Sequence, residues 1–128
     1  MKFTLYETVV YHHWLWSELA NTGGEFKRYA LFWEQTKIEP SEVESLCFPC
    51  EYVIDEDGNH YCSECIFDWP PNKDGSIDCT YGGLFDRWRN AGNTVKRRRL
   101  ATQIRDLPLK HRYQKQLERE YEKETINP

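Results

Sequence analysis

Two cysteine pairs, Cys47-Phe48-Pro49-Cys50 and Cys62-Ser63-Glu64-Cys65, are separated by eleven residues. This spacing constrains the fold more than any other feature of the chain. A Cys-x-x-Cys loop turns both thiols to one side, and two such loops on the limbs of a hairpin set four sulfurs around one ion at about 2.3 Å. The spacer suits that hairpin. Tyr52-Val53-Ile54 reads as a short strand, Asp55 to Asn59 as a turn with Gly58 free to take positive φ, and His60-Tyr61 as the returning limb. The expectation is a Zn2+ site made by Cys47, Cys50, Cys62 and Cys65 in a zinc ribbon-like or knuckle-like module. Cys79 keeps the choice open, because any four of the five cysteines could bind the ion. It is either a substitute ligand or a small buried thiol.

Other cysteine chemistries fit less well. A disulfide framework needs an oxidising compartment, yet Met1-Lys2-Phe3-Thr4-Leu5-Tyr6-Glu7 opens no apolar run of signal-peptide length, so a cytoplasmic protein is expected. A thioredoxin-like redox pair would need only one pair and a βαβ surrounding, and no such pattern is present.

Length points to one domain, and no run of residues is apolar enough to span a membrane. Apolar residues make up only 39% of the chain, but aromatic residues make up 15%, so a few large rings must supply the core. A bound metal would relieve that shortage. The net charge of −4 hides an asymmetry: residues 39–86 carry twelve acidic side chains and one basic one, whereas residues 87–112 carry nine basic and one acidic. A zinc module inside the acidic stretch is a poor candidate for gripping phosphates.

Apolar periodicity places the helices. Leu5, Val9, His12 or His13, Trp16 and Leu19 recur at three- and four-residue steps over residues 4–20, and Asn21-Thr22-Gly23-Gly24 supplies the stop. His12-His13 reads as packing beside an aromatic stripe, since neighbours diverge by about 100° on a helix and no His-Glu-x-x-His pattern is present. Residues 25–36, with Phe26, Tyr29, Leu31, Phe32 and Trp33, read as a second short helix that either completes the core or presents an aromatic patch. A third helix begins near Gly83. A fourth runs to Leu107 with Val95, Leu100, Ala101, Ile104 and Leu107 inward, and carries Lys96-Arg97-Arg98-Arg99. Those four cations spread round the whole helix and read as a solvated face. After Pro108, the four-residue steps Leu109, Tyr113, Leu117 and Tyr121 mark a charged helix over about 109–124 with a narrow apolar stripe. The turn at Asp74-Gly75-Ser76 is no calcium loop, because Pro70 and Tyr81 stand where the end carboxylates are required.

The expected fold is therefore mainly α, with a small zinc-bound β-hairpin over about residues 45–80 inserted between helices. Residues 1–108 form one zinc-stabilised domain, and residues 109–128 form a helix that is packed on the domain or faces a partner.

The His12/His13 and Trp16 helix, Cys47-Phe48-Pro49-Cys50-Glu51-Tyr52, Cys62-Ser63-Glu64-Cys65 with Trp69, Cys79, Trp88 and the helix ending in Leu107-Pro108 together resemble small uncharacterised bacteriophage or prophage proteins. The similarity covers roughly residues 10–108, and the cysteine segment is its specific part. Those proteins often carry proline directly after the second pair, where this chain has Ile66-Phe67-Asp68. The resemblance implies metal binding at Cys47, Cys50, Cys62 and Cys65, with Cys79 a possible ligand. It also implies a phage origin and a place in the host cytoplasm, where such proteins act by binding a host or defence protein.

Two functions follow as expectations. The first is a non-enzymatic, zinc-stabilised interaction protein that binds and modulates a host protein, inhibiting it for instance. Its acidic residues Asp55 and Asp57 and exposed members of Phe48, Tyr52, Phe67 and Trp69 would make the contact. The alternative is a nucleic-acid binder using Lys96, Arg97, Arg98, Arg99, Arg105 and Arg112. Full cysteine coordination would leave no open metal position for catalysis, and no phosphate-cradling glycine loop is present.

Overall fold

The computed structural model describes residues 3–43, 46–54, 58, 64–72, 75 and 83–126, with side chains through Lys123. Its organising element is α1 (Leu5–Thr22), against which most of the other helices pack. Thr4 starts α1 through a capping box: its hydroxyl accepts the Glu7 N–H at 3.0 Å and its own N–H donates to Glu7 Oε1 at 3.0 Å. Gly23 ends it at φ 72°, a left-handed position that glycine adopts without strain. A Cβ there would also stand 2.5 Å from Thr94 Cγ2, so α1 and the next long helix meet where no side chain fits.

A single 3-10 turn (Lys27–Tyr29) and the short α2 (Phe32–Thr36) replace the continuous helix expected over 25–36. The aromatic cluster divides accordingly. Phe32 and Trp33 are buried, while Phe26, Tyr29 and Leu31 are exposed. After a second 3-10 turn (Pro40–Glu42) comes α3 (Phe48–Val53). α4 (Leu84–Arg89) packs on α5 (Thr94–Arg105), and α5 lies along α1. α6 (His111–Ile126) closes the chain and also packs on α1.

The expected zinc-bearing β-hairpin is not found. There is no β-strand among the described residues, and Tyr52-Val53, read as a strand, forms the last turn of α3. The reason is local. Cys47 acts as the N-cap and Pro49 sits in the first turn, where its fixed φ and missing N–H favour helix, and these outweigh the strand preference of three bulky residues. The returning limb His60-Tyr61 lies outside the described residues. The nearest thing to β pairing is an isolated antiparallel bridge between Phe67 and Leu109, made by Asp68 N–H to Pro108 O and Lys110 N–H to Ile66 O, both 2.8 Å. It ties the segment after Cys65 to the entrance of α6.

The core is aromatic, as the composition requires. Phe48 meets Phe32 edge-on at 5.5 Å, stacks on Trp33 at 5.7 Å and receives Phe3 and Tyr11 on its other sides. Trp16 and Trp88 form a second pair at 4.9 Å. Such edge-to-face contacts each contribute about 0.5–1.5 kcal/mol beyond the area they bury.

Candidate functional site

Of the expected metal ligands, Cys47, Cys50 and Cys65 are described, and Cys62 and Cys79 lie outside the described residues. Cys47 and Cys50 share the first turn of α3, and the Cys50 N–H donates to Cys47 Sγ at 3.3 Å. Cys65 is buried, and its sulfur accepts the Trp69 indole N–H at 3.3 Å. Burial pushes the Cys65 thiol up to about 11, and the neighbouring Cys47 adds to the rise, against hydrogen bonds from Phe67 and Trp69. Among the described residues, no group of three or more His, Cys, Asp or Glu side chains is placed to hold a metal.

The aromatic residues expected to face a partner are structural. Phe48, Tyr52, Phe67 and Trp69 are all buried: Phe48 sits at the centre of the ring cluster, Phe67 lies on His12, and Trp69 bonds to Cys65. Tyr52 is held from α6 by Gln116, whose amide donates to its hydroxyl at 3.0 Å. None of the four is open to a partner. Asp55 and Asp57 lie outside the described residues.

The basic run is divided by the fold. Arg97 is buried, donating to Gly23 O at 3.0 Å and Ala91 O at 3.2 Å. Arg98 Nε donates to Ala20 O at 2.9 Å. Both guanidinium groups therefore cap the C-terminus of α1, where unsatisfied carbonyls and the negative end of the helix dipole favour cations. This corrects the reading of all four as a solvated face. The inward stripe of α5 is Arg97, Leu100, Ala101 and Ile104, and Val95, expected inside, is 79% exposed. Arg105 forks onto Asp106 at 2.8 and 3.0 Å, and Arg112 lies over the Tyr113 ring. Lys96 and Arg99 are exposed.

His12 is buried, its Nε2–H donating to Ile104 O at 2.9 Å and its ring lying on Phe67 at 4.3 Å. It packs and carries one satisfied nitrogen, as expected for a histidine beside an aromatic stripe.

The fold divides the aromatic cluster of residues 25–36, for which the sequence leaves core and surface patch both open. Phe26 is 61% exposed, Tyr29 78% and Leu31 58%, all on the connection between α1 and α2. That connection is rigidly held. Glu18 reaches across from α1 and accepts the Leu31 and Phe32 N–H groups on its two oxygens, both at 2.7 Å, capping α2 from outside its own segment. The Trp33 indole donates to Lys27 O at 2.8 Å. Lys27 is itself buried, its ammonium donating to Leu46 O at 3.2 Å and standing 4.5 Å from the centre of the Phe85 ring. The only trace of this surface in the sequence is the crowding of Phe26, Tyr29 and Leu31 into a stretch too short to bury them all.

No helix among the described residues is long and apolar enough to cross a membrane. Comparison with protein-family models, with curated proteins and with solved structures finds no match to this chain.

Proposed function

We propose that this chain is a small binding protein that modulates another protein by surface contact. The phage resemblance makes a host or defence protein in the host cytoplasm the natural partner. One observation carries the reading: Phe26, Tyr29 and Leu31 expose large apolar side chains on a turn pinned by Glu18 and Trp33. Exposed aromatics on a preorganised backbone lose little entropy on docking and are the residue type that dominates interface energetics. The basic-helix alternative is weakened in part, because Arg97 and Arg98 donate to carbonyls at the C-terminus of α1, while Arg105 pairs with Asp106 at the surface and Lys96 and Arg99 stay exposed.

Zinc belongs to the same reading as a fastening, with Cys47, Cys50, Cys65 and, from the sequence, Cys62 as ligands. The N–H groups aimed at Cys47 and Cys65 fit sulfurs that carry negative charge when bound to a metal. The ion would tie α3 to the segment that leads into the Phe67–Leu109 bridge.

The test is affinity capture from a bacterial lysate at low and high salt, with nuclease, comparing the native chain with Phe26→Ala/Tyr29→Ala and with Lys96→Glu/Arg99→Glu. A protein retained by the native chain and by the charge variant, and lost by the aromatic variant at an unchanged melting temperature, is the expected result. Equal retention by the aromatic variant, or recovery of nucleic acid alone, would overturn the reading.

A further inference from the structure

Cys47 and Cys50 stand one turn apart at the start of α3 and are both half-buried, whereas Cys65 is closed off from solvent and bonded by the Trp69 indole. The residues on either side of Cys47 hold the turn that displays Phe26 and Tyr29. Before it, Leu46 O accepts the Lys27 ammonium at 3.2 Å. After it, Phe48 stacks on Trp33, whose indole donates to Lys27 O. We propose that Cys47 and Cys50 are a redox-sensitive pair, and that joining them as a disulfide loosens the docking turn. The inference rests on the binding reading above and names its regulation.

The fold selects this pair for oxidation. Access favours it over the buried Cys65, and the Cys50 N–H, 3.3 Å from Cys47 Sγ, already turns the first sulfur toward the second residue. With hydrogen peroxide as oxidant, one thiolate breaks the O–O bond and takes up a hydroxyl as a sulfenic acid, and with one proton the other oxygen leaves as water. The second thiol then displaces the sulfenic oxygen as another water. An S–S bond forms, and the two electrons lost by the sulfurs have reduced the peroxide. The pair serves its own chain and not a substrate, so it needs no thioredoxin-like surrounding.

Closing the bond moves Cys47. Residues three apart on a helix hold their Cβ atoms about 5–6 Å apart, and a disulfide needs about 3.5–4.5 Å. Cys50 is fixed inside α3, whereas Cys47 is the N-cap with an extended backbone, so the adjustment falls on Cys47 and is passed to Leu46 and Phe48. Leu46 is poised to respond. Its φ of 54° is a left-handed position that a branched side chain seldom adopts, and its N–H on Val43 O and its carbonyl on Lys27 help to hold it there. Displacing Leu46 O frees the Lys27 ammonium, and displacing Phe48 unseats Trp33. Both supports of the turn therefore start from the same cysteine. A disulfide also withdraws two sulfurs from the zinc fastening, so ion and disulfide exclude each other.

The experiment oxidises the 15N-labelled full chain with a slight excess of hydrogen peroxide and then restores it with dithiothreitol. Peptide mapping should find a Cys47–Cys50 disulfide. Amide exchange at Ala30, Leu31 and Phe32 should quicken at least about tenfold on oxidation, stay unchanged at Leu100 and Ile104 of α5, and return to its starting rate on reduction. No disulfide between these two residues, unchanged exchange in the turn, or exchange that rises throughout α5 would overturn the proposal. In the capture assay the reduced chain should retain its partner and the oxidised chain release it. Retention by both forms would overturn the switch and leave the binding reading standing. A turn that responds to oxidation in a chain whose reduced form captures no protein would overturn the binding reading alone.

Discussion

Acidification should destabilise this protein through His12, and the amount can be worked from the structure. The ring is 3% exposed, and desolvation, with help from the charges of His13 and Lys27, lowers its pKa from 6.5 to about 4 despite the hydrogen bond to Ile104 O. Across the adjoining cavity the other titratable groups are His13 on α1 and Arg105 and Asp106 at the end of α5. Because the folded pKa lies below the unfolded one, stability is complete above about pH 6.5. It falls as the pH drops, since the unfolded chain then binds a proton that the folded chain refuses. At about 1.4 kcal/mol per unit, roughly 2 kcal/mol is lost by pH 5 and about 3 kcal/mol by pH 4. His12→Gln keeps an N–H donor for Ile104 O but does not titrate. Urea unfolding followed by tryptophan fluorescence should show the native chain losing its advantage over His12→Gln by those amounts between about pH 7.5 and 4. Acid release of any thiolate-bound metal affects both chains alike and cancels in the difference. A gap constant within about 0.5 kcal/mol over that range would refute the argument.

Arg97→Met should cost about 2–3 kcal/mol, because it strands Gly23 O and Ala91 O, whereas Arg99→Met should stay within about 0.5 kcal/mol; urea midpoints separate the two. Glu18→Ala should cost about 1–2 kcal/mol and speed hydrogen exchange at the Leu31 and Phe32 amides, and unchanged exchange there would show that the turn is held by other means. Metal analysis should find about one zinc per chain, with iron able to replace it during expression. Loss of that ion in Cys50→Ser or Cys65→Ser should lower the melting temperature more than Cys79→Ser does. Equal damage from Cys79→Ser would assign it to the tetrad.

Periodicity identified α1 because its apolar positions repeat over five turns and Gly23 marks the end. The same method placed Leu100, Ala101, Ile104 and Leu107 of the α5 region inward, as found, and erred only at the first position, for a chemical reason. The stripe Arg97, Leu100, Ala101, Ile104 has helical spacing, but an arginine in the first position is discounted as surface, and Val95 is taken in its place. Likewise Tyr52, Val53 and Ile54 have strand preferences, and the features that outweighed them, an N-cap thiol and a first-turn proline, lie upstream at Cys47 and Pro49. The aromatic patch was half legible. The sequence showed too many rings for one short helix, but which of them faced outward depended on Glu18, fourteen positions from Phe32 and on another helix.

The misses at Arg97 and in the aromatic patch share a cause: several helix ends of this fold are satisfied by side chains from elsewhere in the chain. Arg97 and Arg98 of α5 cap the C-terminus of α1, Glu120 of α6 accepts the Tyr6 N–H at its N-terminus, and Glu18 of α1 caps α2. Each pairing puts charge at the end of a helix dipole that favours it. Each also links two elements remote in sequence, as Gln116 does by joining Tyr52 to Glu120. A chain with few aliphatic residues gains tertiary definition from such contacts, because a cap at the wrong helix end leaves both a charge and a backbone group unsatisfied. The consequence reaches function. Charges committed to capping cannot serve a phosphate backbone, so Arg97 and Arg98 are withdrawn from such recognition, and Lys96 and Arg99 of the run stay exposed. The apolar surface proposed for recognition is the turn that capping by Glu18 holds in place, where Phe26 and Tyr29 are displayed.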